Sequence, residues 1–100
     1  MFRSNQDFYD YVDGTVAEMR RAGLIGEAEQ LDNLLHKVAW TTSSELFGEI
    51  GLSILRILEL PSVSPAIRSR LQQCMAGVRV VWPDMGVDPQ ELARRTRRKL

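Results

Sequence analysis

Apolar residues recur at intervals of three and four through four stretches of this chain, and alternate convincingly in none, which predicts helices and no sheet. The strongest stretch runs from Trp40 to Pro61. Leu46, Phe47, Ile50, Ile54, Leu55, Ile57 and Leu58 give it a wide apolar face that neighbouring elements must bury. Thr42 is placed to cap it, with Glu45 three residues on to reach back to the N–H of the cap. Gly48 and Gly51 are poor helix formers, each costing roughly 1 kcal/mol against Ala, so a second backbone is expected close to them.

Either side of this central helix the pattern repeats. Ser4 can cap a first helix that places Phe8, Val12, Thr15, Val16, Met19 and Ala22 on one side, with Tyr9 and Tyr11 at its margins. Gly23 suits the left-handed turn that would end it, and Leu24 can then fold back on the last turn. A second helix is expected from about Gly26 to Trp40, with Ala28, Leu31, Leu34, Leu35 and Val38 inward and Glu29, Asn33, His36 and Trp40 outward. Pro61 closes the central helix. Ser64 and Pro65 then supply a cap and a first-turn proline for a fourth, whose apolar arc is Ile67, Leu71, Cys74, Met75, Val78, Val81 and Trp82. Within it the run VRVVW has β propensity, but helical continuity from Ile67 prevails. After Trp82-Pro83-Asp84, a cap at Asp88 with Pro89 and Glu91 predicts a short basic C-terminal helix. The expected fold is all-α: an antiparallel four-helix bundle in one domain, residues 1–100, with a basic appendage at 88–100.

Composition leaves that picture in place and narrows the class. At 100 residues, 44% hydrophobic and 26% charged, the chain has the make-up of an ordinary globular domain able to bury one core. Its single Cys74 excludes an internal disulfide, and the opening MFRSNQDFYDY lacks the basic start and apolar run of a secretion signal. A reducing, cytoplasmic location is therefore expected. The longest uncharged apolar run, Ile50 to Leu55, is far short of the roughly 18 to 20 residues that span a bilayer.

A formal net charge of zero conceals a polarity. Residues 1–60 carry ten acids and five bases, whereas residues 61–100 carry eight bases and three acids, so the two parts sum to −5 and +5. Five of those bases, Arg94, Arg95, Arg97, Arg98 and Lys99, crowd the appendage. They suit a helix C-terminus or a solvated tail better than a sequence-independent contact with nucleic acid.

Candidate chemistry is sparse. Cys74 lies between Leu71 and Val78 on an apolar arc, where a thiol acts as a small hydrophobe. His36 is the only histidine, and zinc needs several Cys or His ligands, so no metal and no cofactor are expected. The carboxylate pairs Asp10 with Asp13 and Glu45 with Glu49 look solvated, without an apolar pocket to separate their proton affinities. The glycines form no phosphate loop. An enzyme is thus the disfavoured class. The turn Thr41-Thr42-Ser43 has a length suited to a helix-turn-helix, but the helix after it begins with Glu45 and Glu49, which repel phosphate instead of reading bases.

A binding module remains. Glu29, Asn33, His36 and Trp40, with Glu45 and Glu49, combine a large aromatic with a polar rim, the make-up of an interface anchor. The simpler alternative, which a tryptophan near a helix end favours, is that Trp40 folds over the turn as a lid on the core. Leu52, outward among Glu45, Glu49 and Arg56, is a second pointer to a surface site.

The succession MRRAGLIGEAEQLDNLL, WTTSSEL and GEIGLSILRIL, within residues 19–60, resembles small all-helical bacterial proteins that accompany toxins as immunity or antitoxin partners. The resemblance implies non-enzymatic neutralisation, by occlusion of a partner's active site. An acidic bundle surface would suit a basic, nuclease-like toxin domain through electrostatic steering. The alternative expectation is a nucleic-acid-associated accessory protein that uses the Arg-rich C-terminus.

Overall fold

Ser4, Thr42 and Ser64 each stand just before a helix and accept a hydrogen bond from a backbone N–H three residues on, satisfying an otherwise orphan donor. In the computed structural model, which describes residues 2–86, these caps open α1 (Asn5–Arg21), α3 (Ser43–Leu58) and α4 (Pro65–Val81), while α2 (Ile25–His36) begins without a side-chain cap. The cluster Arg94, Arg95, Arg97, Arg98 and Lys99, with the short helix expected around it, lies outside the described residues.

Gly23 ends α1 as its lack of a Cβ allows. At φ +86° its N–H bonds the Arg20 carbonyl at 3.1 Å, and the Leu24 N–H bonds the Met19 carbonyl at 2.9 Å. That pair of bonds is a Schellman motif, and Leu24 packs back on the core as the motif requires.

Each helix packs on two others: α1 on α2 and α4, and α3 on α2 and α4. With the short connections 22–24, 37–42 and 59–64, this is an antiparallel four-helix bundle, as the sequence pattern predicts. The starts of α1 and α3 therefore share one end with the finishes of α2 and α4. Val12, Val16, Met19, Leu31, Ile50, Ile54, Leu71, Met75 and Val78 fill the interior. At the shared end, Phe8 of α1 and Phe47 of α3 meet across the diagonal with ring centroids 4.6 Å apart, flanked by Phe2 and Tyr9.

Polar staples hold the seams. Arg70 of α4 reaches α1, donating from Nε to Thr15 Oγ1 at 3.1 Å and from Nη2 to the Tyr11 carbonyl at 3.3 Å, with its guanidinium 4.3 Å from the Tyr11 ring centroid. Gly14 leaves room for it, since a Cβ there would lie 2.8 Å from Arg70 Nη2. Arg68 Nη1 donates to the Leu58 carbonyl at 2.9 Å, satisfying the end of α3.

Four details differ from the sequence expectation. The second helix ends at His36 and not at Trp40, because beyond Leu35 its inner stripe meets no partner: Val38 is 44% exposed. On α4 the apolar arc is buried only as far as Val78, and Val81 and Trp82 are exposed, Trp82 standing just past the helix. Glu45 does not close a capping box; its carboxylate accepts instead from Thr41 Oγ1 at 2.9 Å. Finally, among the described residues the atoms nearest to Gly48 and Gly51 are not backbone. Their close neighbours are side chains, those of Trp82 at Gly48 and of Met85 and Val78 at Gly51.

Within α3, Ser53 and Ile54 are both buried, but the Ser53 hydroxyl has no hydrogen-bond partner among the described residues. A buried unpaired hydroxyl costs about 1 to 3 kcal/mol, whereas truncating a buried Ile leaves a cavity. Chemical denaturation should therefore move in opposite directions for neighbouring variants: Ser53→Ala gains stability, by roughly 1 kcal/mol, and Ile54→Ala loses about 2 to 5 kcal/mol.

Candidate functional site

Trp82 precedes a proline, and the ring of Pro83 bars its predecessor from helical geometry. At φ −123° and ψ 76°, Trp82 leaves α4 and lays its indole against Gly48 of α3, where a Cβ would lie 3.3 Å from Nε1. Its Nε1 donates to the Ser44 carbonyl at 2.8 Å, tying the end of α4 to the start of α3. Met85 follows onto Gly51. Arg79 Nε donates to the Met85 carbonyl at 3.1 Å and holds this return in place.

A second indole stands on the far side. Trp40 lies between α2 and α3 and is partly buried against the core, donating from Nε1 to the Leu34 carbonyl at 2.6 Å. That carbonyl belongs to the last turn of α2, where no intrahelical N–H remains to meet it. Trp40 thus covers the core, as the lid reading expects, and presents its remaining surface outward.

Between the two indoles lies a groove of about 370 Å³, lined by Trp40, Glu45, Gly48, Glu49, Leu52, Trp82 and Met85. Leu52 and Trp82 are each 44% exposed, a large apolar investment in open surface. Glu45 and Glu49, one turn apart on α3, supply the charge. Neither carboxylate carries a cation among the described residues.

The structure divides the six residues that sequence pattern nominates. Trp40, Glu45 and Glu49 come together on the groove. Glu29 and His36 instead face α1: Arg20 donates to Glu29 at 2.7 Å, and His36 Nε2 lies 2.6 Å from Asp13 Oδ1. The hydrogen bond from Arg20 holds the Glu29 carboxyl below its usual range and raises the guanidinium in turn. Asn33 is exposed on the same helix. Glu29 and His36 belong to the α1–α2 seam, and none of the three lines the groove. Trp82, Met85 and Gly48 are groove residues that helical periodicity misses, because it assigns Trp82 to the core; the proline after Trp82 is the signal that would have found it.

Asp13, Asp32 and His36 bring one ligand atom each within 4.8 Å of one another, the one set of residues among those described that could hold a metal ion. Arg20 lies 3.7 Å from Asp32, and His36 Nε2 is in hydrogen-bond contact with Asp13. Cys74 is buried in the core, its Sγ 3.7 Å from Thr15 Oγ1.

Comparison with family models, with curated proteins and with solved structures finds no match.

Burial pushes the Cys74 thiol up from an ordinary 9.0 to about 11. The protonated thiol is therefore favoured in the folded state, and the stability it contributes is full below pH 9 and is lost as pH rises through 11. In the native protein at pH 8, Cys74 should resist alkylation and should react at once on denaturation; Cys74→Ala should flatten the alkaline loss of stability.

Proposed function

We propose that this protein is a non-enzymatic binding module that receives a protein partner in the groove between Trp40 and Trp82. The observation carrying this reading is the juxtaposition there of exposed apolar side chains, Leu52 and Trp82, with two carboxylates that have no cation among the described residues. An apolar centre anchored by tryptophan within a charged rim is the anatomy of a protein interface. The negative rim favours a basic partner and repels nucleic acid.

An immunity protein of bacterial, cytoplasmic origin is the particular form we propose, in which the groove end of the bundle covers the basic active site of a toxin domain. Occlusion needs a rigid surface and no catalytic group, and the buried, protonated Cys74 is placed for packing alone. No helix among the described residues is long and apolar enough to cross a membrane.

The test is Leu52→Asp. Leu52 is 44% exposed, so the added repulsion from Glu49 and the lost apolar contact should lower the unfolding free energy by no more than about 1 kcal/mol and leave the variant folded. Binding to a partner identified by cross-linking to the intact protein should fall at least tenfold. Unchanged binding by a folded variant would remove the groove from the function.

A further inference from the structure

We propose that the groove recognises an arginine side chain of the partner, seated between the two indoles with its guanidinium on Glu45 and Glu49. This rests on the binding-module reading above and names the chemistry that the site selects.

Both indole N–H groups are already committed within the chain, Trp40 to the Leu34 carbonyl at 2.6 Å and Trp82 to the Ser44 carbonyl at 2.8 Å. Those bonds fix the rings and leave carbon and π surface as what they offer the groove. Leu52 and the Met85 thioether add aliphatic surface, and Gly48 adds a position with no side chain. Among the described residues, the charges lining the groove are the carboxylates of Glu45 and Glu49, which repel one another across one helical turn.

Each class of occupant meets this surface differently. An anion is repelled. A purely apolar side chain fits the indoles but draws two carboxylates away from water with no cation and only the Thr41 hydroxyl on Glu45, which is unfavourable. Lysine brings a compact, strongly hydrated charge that gains little from the aromatic walls. Arginine matches every part: its planar, weakly hydrated guanidinium stacks on indole, its fork donates to carboxylates, and its aliphatic stem lies on Leu52 and Met85. At about 370 Å³ the groove has room for that side chain with its flanking aliphatic neighbours.

The experiment titrates the full chain with an acetylated, amidated peptide carrying two arginines among leucines, followed by tryptophan fluorescence and calorimetry. The comparators are the same peptide with citrulline, a neutral isostere, at both arginines, and with lysine. Citrulline should weaken binding at least tenfold and lysine by less. Glu45→Gln combined with Glu49→Gln should abolish the preference for arginine without moving the unfolding midpoint. The arginine peptide should also displace, from its reversible complex, the partner that cross-linking identified. Equal binding of the arginine and citrulline peptides, or an unchanged preference in the double variant, overturns the proposal. Should that happen while Leu52→Asp still removes the partner, the arginine assignment falls and the binding module stands. If instead the arginine peptide binds without displacing the partner, the groove is not the partner's site and both readings fall.

Discussion

Two missing β-carbons on α3, at Gly48 and Gly51, let the end of α4 and the turn after it lie against that helix. The close approach that these glycines signal is made by Trp82, Val78 and Met85. Glycine costs each helical position roughly 1 kcal/mol, and the contact with an indole, a thioether and a valine is what offsets it. Without that notch the Trp82 indole would have no seat within reach of the Ser44 carbonyl, and the groove would lose one wall and part of its floor.

The bundle's antiparallel order then decides where the groove lies. One end gathers the starts of α1 and α3 and the finishes of α2 and α4. The same end holds the Phe8–Phe47 stacking inside and both tryptophans outside. Along the seam between α1 and α2, Arg20 instead meets Glu29 and Asp32, and His36 meets Asp13. Matched surface ion pairs contribute little to stability and offer a partner little. Glu45 and Glu49 are set apart from the other acids by their place, since they line the apolar groove and have no cation among the described residues.

The fold was legible because helical periodicity and caps are local properties. Ser4, Thr42 and Ser64 announce three helix starts, and Gly23 announces an end. What periodicity could not show is where packing stops supporting a helix: it carries α2 on to Trp40, although Val38 would have nothing to cover it. The site was half legible. Trp40, Glu45 and Glu49 stand out as an aromatic beside acids, whereas Glu29 and His36 looked equally exposed until the α1 partners Arg20 and Asp13 were placed opposite them. Trp82 was hidden by its helical spacing from Val78, and Met85 by lying in a turn whose direction depends on the α3 glycines.

The most direct test of this account is the pair of indole N–H resonances in Gly51→Val, observed by NMR with hydrogen exchange. A branched side chain at this position collides with Met85 and Val78. The account predicts that the Trp82 indole N–H loses its protection and shifts, as its bond to Ser44 opens, while the Trp40 indole N–H on Leu34 is unchanged and the bundle stays folded. Both resonances keeping their wild-type shifts and protection in a folded variant would contradict it.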